Sequence, residues 1–438
     1  MTVSWSLFLP CPAGVEALLA DEVRGLLPQT PVEAARGGVS LRGGVLEAMT
    51  LNLESRLAQR VLVEVGARGY RGEQDLYDLA RDVDWSAWLT PRHTLRVDVT
   101  AHRSPLKSLH FAGLRIKDAV CDQLRDATGQ RPSVDTRHPD LQLVLHVGEA
   151  RASLAVDTSG EPLFKRGWRI DKGDAPLKET LAAAMLAAAE WRGTPESGGA
   201  LHDPCCGSGT IAIEAAQIAC GIAPGVKRPF AFERLLPFAG AEKRDQWQAL
   251  KAAAQARIHP ARVPVSGADV SFRMVDFARR NAVRAGVDHV ITFNGGDALE
   301  RPPPTIAPEL HGTLMLNPPY GERIEALGSV GRGRRLDDGS ADAASARDTP
   351  NRSLSTDFYA QLAAHWKRAY APHPGGWTAW VLSPDAKLPS ALRLRESRRI
   401  PLWNGPIECR LFRFELVLGS ARDKAAGGGA DPDAGTQD

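Results

Sequence analysis

The sequence predicts an α/β protein whose C-terminal part is a mostly parallel, doubly wound sheet of seven strands with an antiparallel edge hairpin, preceded by two small α+β units. Three observations carry this. From Pro176 onward, strand-like segments (ALHDPC, VPVSGADV, VITFNGGD, GTLMLNPP, GWTAWVLSP) alternate with helical ones (GTIAIEAAQIA, SFRMVDFARRNAVRAG, TDFYAQLAAHWKRAY), the pattern of parallel strands joined by crossover helices. The last pair, RRIPLWN and CRLFRFELVL, has no helix between its members and reads as a hairpin at the sheet edge. The region before Pro176 alternates on a shorter scale, and 438 residues suffice for two to four domains with buried cores.

In order along the chain, VSWSLFL at 3–9 reads as a strand, and the stretch from Pro12 to Leu27 carries Val15, Leu18, Leu19, Val23 and Leu26 at helical spacing. GGVSL and then LNLESRLAQRVLVEVG read as strand, helix and strand. This gives a first unit over residues 1–66. TLRVDVTAHR is a strand, LKSLHFAGLRIKDAVCDQL a helix, and LQLVLHVGEARASLAVDTSG two strands around a turn at Gly148-Glu149, giving a second unit over 67–160. A linker at 161–175 leads to the helix PLKETLAAAMLAAAEW and a third unit over 176–418. Within it, 328–352 lacks apolar periodicity and reads as a mobile insertion, as 419–438 reads as a disordered tail.

Composition bounds the function. The net charge is +2 with 43% hydrophobic and 24% charged residues, an ordinary globular balance that excludes a wholly basic coat protein. Any nucleic-acid surface is therefore a local patch. The six cysteines (11, 121, 205, 206, 220, 409) form no CxxC pair, and no His cluster has metal spacing, so reduced thiols and no metal are expected. No basic n-region opens the chain and no run of about 18 apolar residues occurs. A cytoplasmic protein without a membrane segment is the expectation.

Chemistry concentrates in the third unit. In LHDPCCGSGTIAIEAA a strand ends at Asp203, Gly207 and Gly209 follow, and a helix starts at Thr210, so backbone N–H groups face a ligand crevice. Gly-x-Gly alone also fits an ordinary turn. Asp203 adds to it, because an acid there pairs with a cationic amino group, which a dinucleotide phosphate does not need. Asp269 in VSGADV and Asp297 in FNGGDAL fall at the next strand ends, suited to ribose hydroxyls and an adenine amine respectively. Glu233 competes for the ribose, although FAFERLLPF lacks a convincing strand before it. Cys205 and Cys206 read as small packing residues beside the glycines.

The string LMLNPPYGERI delivers Asn317, Pro318, Pro319 and Tyr320 to the end of the fourth strand. Two prolines stop sheet pairing. They hold the Asn carbonyl and a neighbouring backbone carbonyl towards one point, which suits accepting both hydrogens of a planar NH₂ group. Such an amine is a poor nucleophile because its lone pair is delocalised. Holding both N–H bonds favours pyramidalisation as a methyl group arrives, an interaction matched to the transition state. Tyr320 offers a ring on which a flipped base stacks.

DPCCGSGT, GAD, GGD and NPPY resemble the AdoMet-binding and amine-binding motifs of class I N-methyltransferases. Together with FLPCPAGVEALLADEV, GGVSLRG, RLAQRVLVEVG and DTSGEPLFKRGWRIDKGDAPLKETLAA, they resemble the RlmL-type ribosomal RNA guanine-N2 methyltransferases over residues 5–418. That resemblance implies a ferredoxin-like unit at 1–66, a THUMP RNA-binding domain at 67–160 and a Rossmann-like class I methyltransferase domain at 176–418. It implies S-adenosyl-L-methionine held by Asp203, Gly207, Ser208, Gly209, Asp269 and Asp297. It places guanine on Asn317, Pro318, Pro319 and Tyr320, and makes 23S rRNA the expected partner. Ser271 stands where relatives often carry a second acid, and a single methyltransferase activity is expected. Lys165, Arg166, Trp168 and Arg169 form a basic and aromatic stretch that fits phosphate and base contacts, although a solvated linker fits equally well; the arginines of 391–413 rank lower, as guards of an edge strand. The alternatives are a tRNA or DNA amino-methyltransferase and a non-catalytic RNA-binding factor. An NAD-dependent oxidoreductase would leave NPPY idle.

Overall fold

The computed structural model describes residues 4–173, 176–318 and 351–418. The expected insertion, apart from its last two residues, and the expected tail, together with Pro319 and Tyr320, lie outside the described residues.

The N-terminal half is one continuous antiparallel and parallel sheet. Strand β1 (Trp5–Pro10) leads to helix α1 (Glu16–Leu26), then β2 (Val32–Ala35), β3 (Gly38–Gly43), α2 (Val45–Glu54) and β4 (Leu62–Gly69). Helix α3 (Glu73–Arg81), β5 (Thr94–Ala101), α4 (Leu109–Thr128), β6 (Ser133–Val134), β7 (Leu141–Val147) and β8 (Arg151–Asp157) follow. The sheet order is β2-β3-β1-β4-β8-β7-β5-β6. Its two halves join where β4 pairs with β8, from Leu62 opposite Asp157 to Gly69 opposite Arg151. Strand β4 thus runs across residues 66 and 67, because pairing β1 on one edge and β8 on the other satisfies both rows of its backbone groups. Alternation along β7 buries Leu141, Leu143, Leu145 and Val147 under α3 and α4. Helix α4 starts at Ser108, whose side chain accepts from the Phe111 N–H, and stops at Gly129 in the left-handed region.

The C-terminal half begins with α5 (Glu179–Ala188) and continues through β9 (Ala200–Asp203), α6 (Thr210–Ala219), α7 (Ala241–Ala256), β10 (Val265–Asp269) and α8 (Phe272–Ala285). It ends with β11 (Ile291–Gly295), β12 (Gly312–Leu316), α9 (Asn351–Ala369), β13 (Trp377–Ser383), α10 (Leu388–Leu392), β14 (Arg398–Asn404) and β15 (Ile407–Leu416). The order is β11-β10-β9-β12-β13-β15-β14, with β9 to β13 parallel and the β14–β15 hairpin antiparallel. The strand order reverses between β9 and β12. A crevice opens there at the C-terminal strand ends. Strands β12 and β13 are buried along their whole length, as a sheet covered on both faces requires. Helices α3, α7 and α10 and the short strands β2 and β6 are additions to the sequence reading, the strands because two to four residues carry too little pattern.

Candidate active site

Asp203 ends β9 with 1% of its surface exposed. The Cys205 N–H donates to its Oδ1 at 3.1 Å, and among the described residues no cation pairs with it. Burial, with Asp269 nearby adding to it, pushes this carboxyl well above the usual range. The turn that follows is fixed by two backbone bonds, Cys206 N–H to the Ala268 carbonyl and Gly209 N–H to the Cys206 carbonyl, each at 2.8 Å. Gly209 caps α6 at φ 88°. A Cβ there would lie 2.9 Å from Cβ of Ala278 and 3.2 Å from the Phe293 ring, so glycine is needed both for its backbone conformation and for closeness to α8. Gly207 has open space where a side chain would stand, on the crevice side of the turn. Buried Ser208 is fastened through its carbonyl, which accepts from Asn281 Nδ2 at 3.1 Å.

Asp269, at the end of β10, accepts from the Gly207 N–H and the Ser271 N–H, both at 2.9 Å. One acid thereby ties the glycine turn to the next strand. Asp297 is exposed beyond β11, and its Oδ1 accepts from the Leu299 N–H at 2.9 Å. Glu233, the competitor, is spent elsewhere: it accepts from the Phe230 N–H at 2.9 Å and faces the Trp247 indole N–H at 3.3 Å. Cys205 and Cys206 have thiols raised well above their usual range by burial and the neighbouring acids. They are therefore not poised as nucleophiles.

Asn317 follows the last residue of β12, across the strand-order reversal from Asp203. Its Oδ1 is buried and has no hydrogen-bond partner among the described residues. An orphaned buried carbonyl costs about 1–3 kcal/mol, a cost that a donor bound in the crevice would offset. Pro318 is buried beside it.

The linker residues correct the sequence reading. Arg166 is 2% and Trp168 1% exposed. Arg166 Nε donates to Glu214 Oε1 at 3.1 Å and its terminal nitrogens donate to the Leu163 and Arg56 carbonyls. Arg169 donates to the Thr210 hydroxyl at 2.7 Å and the Leu177 carbonyl at 2.8 Å, with Glu179 Oε1 3.0 Å from its Nε. Two of the four residues read as an RNA-binding surface, Arg166 and Trp168, are thus interior, and Arg169 is largely enclosed with its guanidinium held by partners within the fold. Lys165 alone is exposed, paired with Glu161. The arginines of β14 and β15 also stand beside acids, Arg399 with Glu396, Arg410 with Glu408 and Arg413 with Glu415.

Glu214 and Asn281 carry the support of the site and were not singled out from sequence. Glu214, on α6, is fully buried and takes Arg166 together with Arg56 from the N-terminal half. Asn281 Oδ1 accepts from the Ile170 and Asp171 N–H groups at 3.3 Å, which pins the linker to the glycine turn. A lone acid inside the apolar run GTIAIEAAQIA was the available signal, since such a group is buried only when paired. Among the described residues no cluster of potential metal ligands occurs, and no helix is long and apolar enough to cross a membrane.

Sheet order, glycine turn and strand-end acids define a class I methyltransferase domain, here joined to an N-terminal eight-stranded α+β half. Residues 6–62 match the family described as the RlmL ferredoxin-like domain, 70–157 the THUMP domain, and 166–336 the RMKL-like methyltransferase domain. The three matches fall in this order along the chain. It is 36% identical over 415 residues to the ribosomal RNA large subunit methyltransferase K/L of Syntrophotalea carbinolica, covering 94% of this chain and 53% of the relative. To the protein of the same name from Pseudomonas putida (strain W619) it is 33% identical over 440 residues, covering 98% and 55%. The chain spans about half the length of the curated relatives it matches. Among solved structures it is similar to SMU.472 complexed with SAH (26% identity, TM-score 0.76, covering 96% and 100%). It is also similar to a predicted N6-adenine-specific DNA methylase from Listeria monocytogenes (25%, TM-score 0.75, covering 94% and 96%).

Proposed function

We propose that this protein transfers a methyl group from S-adenosyl-L-methionine to the exocyclic N2 amine of a guanine in 23S ribosomal RNA. The observation that carries the reading is the orphaned, buried Asn317 Oδ1 at the same strand-end crevice as Asp203 and the glycine turn. The cofactor supplies an electrophilic methyl group when bound, and the residues present fit it. Asp203, buried without a counter-cation among the described residues, receives the amino group of its amino-acid end. Gly207, Ser208 and Gly209 admit that end closely, Asp269 takes the ribose and Asp297 the adenine amine. Asn317 accepts from the guanine amine, with Pro318 and Pro319 fixing the backbone and Tyr320 as the stacking ring. The relatives named for large-subunit rRNA, together with the THUMP match, support RNA as the substrate, and we propose a division of labour in which 1–66 and 67–160 select it while 176–418 holds the cofactor.

The test is single-turnover methylation of 23S rRNA with the product nucleoside identified by mass spectrometry. Asn317→Ala is expected to lower the rate by about 10²–10³ while leaving cofactor affinity within a few-fold, the scale of losing a transition-state hydrogen-bonding group. Asn317→Asp, which keeps the acceptor, is expected to retain more activity than alanine. Equal rates for wild type and Asn317→Ala would remove this residue from the chemistry.

A further inference from the structure

Away from the crevice, one cavity of about 190 Å³ is bounded by three separate parts of the chain: Pro12, Ala13 and Gln59 from the N-terminal half, Lys178, Thr180 and Leu181 at the start of α5, and Trp403 with Gly405 at the β14–β15 turn. Its position follows from the register. Leu316 of β12 lies opposite Val381 of β13, and Ser383, two residues further on, lies opposite Arg410 of β15. The hairpin closes beyond that level, with Asn404 opposite Ile407. The Trp403 end of the cavity therefore stands on the same rim of the sheet as Asp203 and Asn317. Strand β14 is three places from β12, about 14 Å at the usual strand spacing. The start of α5 belongs to the same rim, because Leu177 is held through Arg169 to Thr210 of the cofactor turn.

The lining has the chemistry of a nucleotide subsite. Trp403 is half-buried and offers a π-face. The Lys178 ammonium forms no ion pair among the described residues and lies 5.2 Å from the centre of the Phe164 ring. The Gln59 side-chain amide has no hydrogen-bond partner among the described residues. A cation, an aromatic face and a free amide around one cleft suit an unpaired nucleotide better than a peptide, since stacking and phosphate attraction act together there. The larger hollow beside Cys220 and His289 lies at the opposite end of the strands, below Val265 and Ile291, and has no such relation to the crevice.

We propose that the cleft between Gln59, Lys178 and Trp403 holds an unpaired nucleotide of the substrate RNA flanking the target guanine, its base on Trp403 and its phosphate on Lys178. This rests on the methyl-transfer reading above. It places substrate recognition on the seam between the two halves, so that a strand reaching the crevice touches both.

The test uses the full chain and a 23S rRNA transcript substituted with 4-thiouridine. Ultraviolet crosslinking should map to Trp403. Trp403→Ala should raise the RNA concentration for half-maximal single-turnover rate about tenfold, the scale of one lost base stack, and Trp403→Phe should restore most of it. Lys178→Ala should lower the slope of log affinity against log salt by about 0.7, one phosphate contact on a single strand. Cofactor affinity, measured by calorimetry, should stay within twofold in all three. RNA methylated with an unchanged half-maximal concentration by Trp403→Ala, or an unchanged salt slope in Lys178→Ala, overturns the cleft and leaves the reaction. RNA that crosslinks at Trp403 without being methylated overturns the reaction instead. Should Trp403→Ala fail to fold, the exposed Lys178 and the conservative Trp403→Phe still decide.

Discussion

At the scale of single residues, the site is set by carboxyls that the fold has stripped of water. Asp203 is raised by burial first and by Asp269 second, so in the free protein it holds its proton more tightly than an exposed aspartate. An ammonium group bound beside it would lower that pKa, and binding would then release a proton. Cofactor affinity is accordingly expected to rise with pH as the free protein's Asp203 gives up its proton. Calorimetry in buffers of different ionisation enthalpy checks this through the released proton. Asp203→Asn should abolish that proton release and weaken binding. Glu179 is a separate case, pushed up to about 6 by burial even though Arg169 faces it and pulls the other way. Its folded pKa lies above the unfolded one, so the native state binds more protons between pH 4.5 and 6. Stability from this group is present below that window and is lost as pH rises through it. Glu179→Gln should flatten the pH dependence of thermal unfolding over that interval, and an unchanged profile would assign the titration elsewhere.

At the scale of elements, the decisive contact is between the first turn of α6 and its neighbours. Gly209→Ala would force an L side chain into the left-handed region and press it on Ala278 and Phe293. A loss on the order of 3 kcal/mol is expected, read from denaturant unfolding, together with weaker cofactor binding because the turn moves with the helix. One turn further along, Glu214 accepts from Arg166 and lies 3.3 Å from Arg56. Arg166→Ala would leave this buried acid with a single partner, costing about 3–5 kcal/mol. Glu214→Gln removes the counter-charge of two enclosed guanidiniums, Arg166 and Arg56, and should cost at least as much as Arg166→Ala; a clearly smaller loss in thermal unfolding would contradict this account. The glycine positions and the alternation of strands and helices were visible in the string of residues. The partners of Glu214 lie 48 and 158 residues away along the chain, and no local pattern pairs them.

At the scale of the whole molecule, the two N-terminal units share one sheet through the β4–β8 pairing and the Asn52 side chain's bonds to Thr158 and Ser159, and this half is bolted to the C-terminal half by Arg56 on Glu214 and by Gly225 packed on the Asn52 and Leu53 carbonyls. Arg56→Met should therefore lower the unfolding temperature of both halves together, which hydrogen exchange followed separately in 62–69 and 210–219 would register. A change confined to one half would show that the two unfold independently. By itself the sequence determined the α/β class, the strand-end placement of Asp203, Asp269 and Asn317, and the glycine turn, because periodicity and turn chemistry are local and each element's sidedness is written within about ten residues. It misplaced Arg166 and Trp168 on the surface, since a run of cations and aromatics has the same composition whether it meets solvent or a buried acid. Only the tertiary structure decided that, and it decided likewise that β4 joins the two N-terminal units into one sheet and that Asn317 Oδ1 is left without a partner among the described residues, because pairing, burial and orphaning depend on which distant groups the fold brings together.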